Sequence, residues 1–285
     1  MIHSFLMIGQ SNMAGRGFAK EVPVILDEGI KMLRNGRWQT MTEPVNYDRP
    51  VAGVSLAVSF AAAIRHDDPS SVVGLVPCAD GGSSIDEWAV DGPLFENAVT
   101  QARLAQRSST LAGILWHQGE SDSLPGAAER YKDKLAVVIA ALRQALNVPE
   151  IPLILGGLGD YLVTGMYSKA FSAYNVINDQ LWKYALSQPN CYFATAAELS
   201  SNADKIHFDA ASLRRFGIRY FEAFSKKQHI ISALPHEKAM LEAIYNRVPT
   251  VAENTYALQL QFANGHISAT EFQQQLQQLH PVEEN

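Results

Sequence analysis

A serine in a turn bounded by glycines is the first residue of this chain that could do chemistry. Gly9, Ser11 and Gly15 belong to the run Gly-Gln-Ser-Asn-Met-Ala-Gly, which directly follows the apolar residues Phe5-Leu-Met-Ile8. A strand that ends in such a turn presents its last residues at the carboxyl edge of a sheet, where ligand sites form in open α/β folds. The glycines permit a tight turn, and a helix starting there would offer N–H groups to a developing negative charge. Ser11 is therefore the candidate nucleophile.

A glycine pair after a second apolar run could admit an oxyanion. The run Val-Val-Gly-Leu-Val-Pro at 72–77 leads into Cys78-Ala-Asp-Gly-Gly-Ser-Ser, which contains Gly81 and Gly82. Because a glycine has no side chain, the backbone N–H of either residue could approach a substrate oxygen closely. The sequence leaves open which of the two would donate, and a plain turn is the alternative explanation.

A dense polar segment follows a third apolar run. Leu-Ala-Gly-Ile-Leu-Trp at 111–116 is followed by His117, Gln118, Gly-Glu120 and Ser-Asp. The Gln118 amide is a neutral donor, which suits an oxyanion hole because it stabilises charge without supplying a proton to the reaction. Glu120 could orient a histidine or anchor the loop. We expect His117 to be packed or supporting rather than to act as a base.

An aspartate and a histidine three residues apart could supply the base for Ser11 and the carboxylate that orients it. In Asp204-Lys-Ile-His207-Phe-Asp209, the first carboxylate could hold Nδ1–H of the histidine and leave Nε2 free to take the proton of Ser11. Glu120 is a competing acidic partner for His207. Asp209 is better placed to cap the helix that follows.

The elements that would position these residues alternate along the chain. Five apolar runs of strand length occur, at 3–9, 72–77, 111–116, 151–155 and 190–195. Helical periodicity lies between and after them, at about 54–65, 94–107, 127–146, 171–186 and 210–225. This alternation predicts a mostly parallel, five-stranded sheet with a site at its carboxyl edge.

The last part of the chain has a different pattern. Strand patterns stop at about residue 230, which divides the chain into a predicted catalytic domain, 1–229, and a helical appendage, 230–285. Two short helices are predicted within 254–279, with Gly265 ending one and Ser268 or Thr270 capping the next. Such a hairpin could mediate homo-oligomer formation or pack on its own domain.

The four polar segments together resemble the SGNH hydrolase superfamily, and within it the sialate O-acetylesterase-like group that includes acetylxylan esterases of carbohydrate esterase family six. The motifs Gly-Gln-Ser-Asn-Met-Ala-Gly, Gly-Gly-Ser-Ser-Ile-Asp-Glu-Trp, Trp-His-Gln-Gly-Glu-Ser-Asp and Asp-Lys-Ile-His-Phe occur in the order of that group, over about residues 1–226. The resemblance implies a three-layer α/β/α domain and serine esterase chemistry on O-acetylated sugars, without metal or cofactor. It implies Ser11 as nucleophile and His207 as base. An oxyanion hole would combine the Ser11 N–H, an N–H of Gly82 or Gly81, and the Gln118 side chain.

Composition limits the classes of partner and location. The formal net charge is −6, and the sequence contains no Lys/Arg cluster of the kind that binds nucleic acid. We therefore expect no nucleic-acid partner. No apolar run is long enough to span a bilayer, and no signal-like segment precedes the first strand, so we expect a cytoplasmic protein with no membrane partner. Cys78 and Cys191 are expected to be buried, reduced thiols.

The sequence therefore predicts a serine esterase that removes O-acetyl groups from carbohydrates such as acetylated xylo-oligosaccharides or sialic acids. Its sugar-contacting residues are unknown, although some loop residues could line the site: Trp88, Asp160, Tyr161, Tyr167 and Tyr174. Two alternatives remain: an esterase of other acyl, aryl or lipid esters, and a non-catalytic carbohydrate-binding or assembly protein.

Overall fold

The computed structural model describes residues 1–280, and seven strands form one sheet within them. The strands are β1 (Ile2–Gly9), β2 (Ile30–Arg34), β3 (Arg37–Thr40), β4 (Val72–Pro77), β5 (Ser109–His117), β6 (Leu153–Gly156) and β7 (Cys191–Ala194). Their spatial order is β3-β2-β4-β1-β5-β6-β7, and all neighbours are parallel except β2 and β3. The prediction of a mostly parallel sheet is confirmed, but the predicted number of five strands is wrong.

The two additional strands form a hairpin at one edge of the sheet. Asn35 and Gly36 connect them with φ angles of 52° and 73°. Positive φ at both central residues is the signature of a type I′ turn, for which Asn-Gly is a preferred sequence. The hairpin therefore has a local sequence signal, although Lys31 and Arg34 interrupt the apolar residues of β2, which lacks the continuous apolar pattern of the inner strands.

Helices cover both faces of the sheet. They are α1 (Ser11–Ala14), α2 (Leu56–Asp67), α3 (Pro93–Gln106), α4 (Tyr131–Ala145), α5 (Tyr174–Ser187) and α6 (Ala210–Lys226). Helices α3, α4 and α5 pack side by side, and α2 packs against α6. Gly217 of α6 permits that second contact, because a Cβ there would overlap the Ser59 hydroxyl and the carbonyl of Leu56.

The sheet order brings three of the predicted polar segments together. Strand β1 lies between β4 and β5, so the turns after these three strands share one part of the carboxyl edge. In β1, Phe5 to Ile8 are buried, which anchors the strand that carries Ser11. At its end, Gly9 has φ of 128° and passes so close to the His117 backbone that a side chain would not fit.

Three further helices follow α6: α7 (Glu237–Tyr245), α8 (Val251–Ala263) and α9 (Ala269–Leu279). Helix α7 contacts α2 and α6, and α9 packs on α8. The predicted hairpin is present: Gly265 has φ of 71°, and Ser268 caps α9 in a capping box with Glu271. Helix α7 was not predicted, and the division at residue 230 stays a prediction. Within residues 1–280, no helix is both long and apolar enough to cross a membrane.

Candidate active site

A continuous hydrogen-bonded chain joins the predicted serine, histidine and aspartate. The Oγ of Ser11 lies 3.0 Å from Nε2 of His207, and Nδ1 of His207 lies 2.7 Å from Oδ2 of Asp204. Ser11 begins the short helix α1 immediately after β1, and the other two residues lie in the loop before α6. This is the geometry that a serine needs in order to lose its proton to an imidazole oriented by a carboxylate.

Asp204 is held by its own loop. Its Oδ1 accepts the backbone N–H groups of Ile206 and His207, at 2.9 and 3.0 Å. Partial burial raises the pKa of this carboxyl, but the two backbone N–H groups and the His207 side chain outweigh burial, so the net pKa of Asp204 is lowered. The carboxylate is therefore ionised at neutral pH, in contact with the ring nitrogen that it orients.

Asn12 ties the nucleophile turn to the histidine loop. Its Nδ2 donates to the carbonyl of Ile206 at 3.3 Å, and its Oδ1 accepts the N–H of Phe208 at 3.1 Å. These two backbone groups flank His207. Beyond them, Asp209 accepts the N–H of Ser212 and caps α6, as its position in the sequence predicted.

Glu120 lines the same cavity as Ser11 but forms no hydrogen bond with His207 among the residues that the structure describes. Its Oε1 accepts the Asn12 amide at 2.6 Å and lies 3.2 Å from Nε2 of His117. Burial raises the pKa of Glu120, yet the charge and hydrogen bonds of His117 and the amide of Asn12 lower it further than burial raises it. The structure thus places Asp204, and not Glu120, against His207, and His117 is a buried supporting residue.

The Gln118 side chain is not available to an oxyanion, which corrects its predicted position. It has no exposed surface, and its Nε2 donates to Asp122 at 2.6 Å, to the carbonyl of Ser83 at 3.0 Å and to Gln10 at 3.2 Å. Its Oε1 accepts the Tyr131 hydroxyl at 2.8 Å. An amide with both hydrogens committed to buried acceptors cannot also face a substrate.

A different amide, that of Gln10, lines the cavity in front of Ser11. Its Oε1 is bound by Gln118 and by the backbone N–H groups of Gly119 and Ser121, which fixes the orientation of the amide. Its Nε2 has no acceptor within residues 1–280 and belongs to a cavity-lining side chain. Gln10 directly precedes the candidate nucleophile, but its role as a donor was not predicted from the sequence.

The structure also distinguishes the two glycines. The N–H of Gly81 donates to Oδ2 of Asp48 at 2.7 Å, so it is occupied. The N–H of Gly82, like that of Ser11, has no acceptor in the described part of the chain. Gly82 has φ of 84°, a conformation that favours glycine, and its carbonyl accepts the Ser121 hydroxyl at 2.9 Å. The free donors at this edge are therefore Ser11 N, Gly82 N and Gln10 Nε2.

Comparison with known proteins places the chain in a family. Residues 1–226 match the family model described as carbohydrate esterase, sialic acid-specific acetylesterase. The chain belongs to this carbohydrate esterase family. The match covers all the residues of the hydrogen-bonded chain and both glycines, and it ends at the last residue of α6.

Individual relatives of the chain agree with the family assignment. A probable carbohydrate esterase from Arabidopsis thaliana is 35% identical over 172 residues, which span 53% of this chain and 66% of that protein. An X-ray structure of the Arabidopsis thaliana protein from the same locus superposes with a TM-score of 0.71 at 27% identity, covering 79% of this chain and 98% of that one.

Two more distant structures share the fold. The crystal structure of NanS has a TM-score of 0.65 at 18% identity, covering 79% of this chain and 97% of NanS. That of a carbohydrate acetylesterase from Xanthomonas citri has a TM-score of 0.60 at 18% identity, covering 79% and 57% of the two chains. At these identities the similarity concerns the central sheet and its flanking helices.

The cavity in front of Ser11 has a volume of about 330 Å³. Phe171 and the buried Arg16 line it beside the groups described above. Of the aromatic residues predicted near a sugar, Trp88 and Tyr161 are buried in the core, whereas Tyr167 is exposed. Phe171, which is closer to the chemistry, was not among them.

Arg16 does not offer a free charge to the cavity. Its guanidinium forms a bidentate ion pair with Asp48 at 2.6 and 3.1 Å, and the two side chains are 5% and 3% exposed. Because the same carboxylate also binds Gly81 N, this pair orders the loop that carries Gly82. A second pair on this loop, between Arg49 and Asp80, lies at the surface.

Proposed function

We propose that this carbohydrate esterase removes O-acetyl groups from carbohydrates through an acyl-enzyme formed on Ser11. The observation that carries the proposal is the hydrogen-bonded chain from Ser11 through His207 to Asp204, which opens onto a cavity with unpaired N–H donors. The match to a family model described as carbohydrate esterase, sialic acid-specific acetylesterase, supports the choice of ester.

In the first step, Oγ of Ser11 attacks the acetyl carbonyl carbon, and its proton moves to Nε2 of His207. Asp204 holds the resulting imidazolium in place through Nδ1–H. The carbonyl oxygen becomes an oxyanion, which the N–H groups of Ser11 and Gly82 and the Nε2 of Gln10 stabilise.

The tetrahedral intermediate then collapses. The bond between the carbonyl carbon and the sugar oxygen breaks, and the sugar oxygen takes the proton from His207 as the alcohol leaves. Water attacks the acetyl-serine and gives a proton to His207. The bond between the carbonyl carbon and Oγ of Ser11 then breaks, His207 returns the proton to Oγ, and acetic acid leaves and ionises to acetate. No group beyond the described side chains, the substrate and water takes part in this scheme.

The substrates that we infer are acetylated mono- or oligosaccharides, with O-acetyl sialic acids and acetylated xylo-oligosaccharides as the first to test. The family description names sialic acid, and a cavity of about 330 Å³ accommodates an acetyl group with part of one sugar ring.

We propose that the protein is cytoplasmic. Fractionation of cells that express the chain tests this location.

Acetate release from both sugar classes and from 4-nitrophenyl acetate tests the function directly. We expect turnover by the wild-type chain and its loss in Ser11→Ala. Ser121→Ala is the matched control, because Ser121 lines the same cavity but has no histidine partner, and it should retain activity within about tenfold.

Each outcome decides between the functions considered. Equal activity in Ser11→Ala and the wild type would remove Ser11 as nucleophile. Hydrolysis of 4-nitrophenyl acetate but of no sugar ester would indicate an esterase with another substrate. Sugar binding without any hydrolysis would indicate a carbohydrate-binding protein.

A further inference from the structure

The cavity in front of Ser11 offers few apolar side chains to a substrate. Within residues 1–280 its lining contains two, those of Phe171 and Ile206, beside glycines and polar or charged residues. A long aliphatic group gains affinity in proportion to the apolar surface that it buries, and two side chains give it little to pack against. A sugar needs only a small apolar surface for its C–H groups, because its hydroxyl groups can remain in water or bind polar atoms. The lining therefore suits a sugar better than a lipid.

Phe171 and the reacting groups lie at different depths. Ser11 and Gln10 are buried, so the acetyl group that contacts them lies at the inner end of the cavity. Phe171 is half-buried, because it packs against the hydrophobic core and keeps some surface that solvent reaches. In an ester bound at Ser11, the alcohol part extends from the inner end toward solvent, which brings it to the wall that Phe171 forms.

The segment that carries Phe171 is tied to the turn that orients an oxyanion donor. The N–H of Ala173 donates to the carbonyl of Ser123 at 2.8 Å, and the Ser123 hydroxyl donates to the carbonyl of Gly119 at 2.8 Å. Backbone N–H groups of this same turn hold Oε1 of Gln10. The aromatic residue is thus positioned before substrate arrives, so little ordering of the protein opposes binding against it.

The two apolar side chains of the lining differ in shape. The ring of Phe171 has flat faces that carry partial negative charge, and these attract the partly positive hydrogens on one face of a pyranose ring. Contact with that face leaves the hydroxyl groups at the rim of the sugar free to bind water. Ile206 is branched and offers no flat face to a ring.

We propose that Phe171 is a specificity-determining residue, whose ring packs against the sugar ring in the alcohol part of the ester. This proposal rests on the esterase function proposed above and adds where selection occurs. It assigns selection to the alcohol side of the ester, so that acetates of pyranoses are preferred over acetates of small alcohols.

Hydrolysis of esters that share an acetyl group but differ in the alcohol tests the proposal. The sugar esters are a mono-O-acetylated methyl xylopyranoside and 4-O-acetyl sialic acid, and the small ester is isopropyl acetate, which is also an ester of a secondary alcohol. The readout is the ratio of kcat/KM for each hydrolysed sugar ester to kcat/KM for isopropyl acetate.

Phe171→Leu keeps an apolar side chain but removes the ring, and should lower this ratio by about tenfold or more, chiefly through a higher KM for the sugar ester. Phe171→Tyr keeps the ring and should restore the ratio to within about threefold of the wild type. The matched control is Tyr167→Ala, which removes an exposed ring from the same loop. Tyr167 is not among the described residues that line the cavity, so the ratio should not change.

Circular dichroism and the melting temperature check that the variants are folded, and Phe171→Met replaces Phe171→Leu if the latter is not. An unchanged ratio in the folded variant would overturn this proposal alone, because sugar-ester hydrolysis by the wild type would still support the proposed function. So would a gain of activity on isopropyl butyrate in Phe171→Leu without a fall in the ratio, since Phe171 would then lie beside the acyl group. A wild type that hydrolyses no sugar ester would overturn both proposals.

Discussion

Gln118 donates its side-chain amide to Oε1 of Gln10 across 3.2 Å, so one glutamine positions the other. The amide that faces the cavity is that of Gln10, and the buried amide fixes which way it points. This relationship separates a residue that would contact the oxyanion from one that would act only through its neighbour.

Replacing the two glutamines should therefore have different effects. Gln10→Ala removes a direct donor and should lower kcat by about 100-fold, on the order of 3 kcal/mol, with little change in melting temperature. Gln118→Ala removes a buried donor from the Asp122 carboxylate and from the carbonyl of Ser83, and should lower the free energy of unfolding by about 1–3 kcal/mol. Steady-state kinetics and urea unfolding of both variants measure this; a larger loss of stability in Gln10→Ala than in Gln118→Ala would contradict the assignment.

The two acidic candidates can be compared in the same way. Asp204→Asn keeps the size of the side chain but removes the carboxylate on His207, and should lower kcat by roughly 10³–10⁴-fold. Glu120→Gln keeps a hydrogen-bonding group beside Asn12 and should stay within about tenfold of the wild type in kcat. The kcat of both variants is measured at neutral pH. A greater loss of kcat in Glu120→Gln than in Asp204→Asn would indicate that Glu120 is the acidic partner of His207.

Glu120 should instead contribute to stability in a pH-dependent way. Its pKa in the folded protein is lower than the ordinary value of 4.5, so its ionised form stabilises the fold above that pH. The contribution is lost as the pH falls through the lowered pKa. The difference in unfolding free energy between the wild type and Glu120→Gln should therefore be largest near pH 7 and shrink below about pH 4.5. Urea unfolding across this range measures it, and a difference that stays constant would be against the prediction.

Two neighbouring ion pairs provide a test of how the loop at Gly81 is held. Asp48→Asn leaves the buried Arg16 without its carboxylate and should lower the free energy of unfolding by about 3–5 kcal/mol, with a fall in kcat because Gly82 loses its support. Asp80→Asn breaks the pair with Arg49, whose side chain is 47% exposed, and should have no measurable effect on unfolding. Thermal unfolding of both variants is the measurement; equal melting temperatures would show that the buried pair has no special role.

Much of the site was predictable because its polar segments directly follow apolar strands. Strand ends in a parallel sheet converge, so Ser11 and Gly82 could be placed at one edge from their position after β1 and β4. The spacing of Asp204 and His207 predicted their contact because three residues of one loop can bring a carboxylate to a ring nitrogen.

The error over Gln118 has a tertiary cause. Either Gln10 or Gln118 could supply a neutral donor, and only packing decides which amide faces the cavity. Tyr131, from helix α4, and Asp122 capture the Gln118 side chain, and neither contact follows from the local sequence. The edge hairpin was not predicted for a different reason. Its Asn35-Gly36 pair is a recognisable turn sequence, but its strands lack the apolar pattern that identifies the other strands.

Asn12 joins the nucleophile turn to backbone groups on both sides of His207, and Ser11 and His207 are 196 residues apart along the chain. During synthesis on the ribosome, the serine is made 196 residues before the histidine. On the proposed mechanism, Ser11 therefore has no base until the loop at His207 has been made and has docked on the nucleophile turn. Acquisition of esterase activity would then report completed folding of the sheet, and amino-terminal fragments that lack His207 would have none.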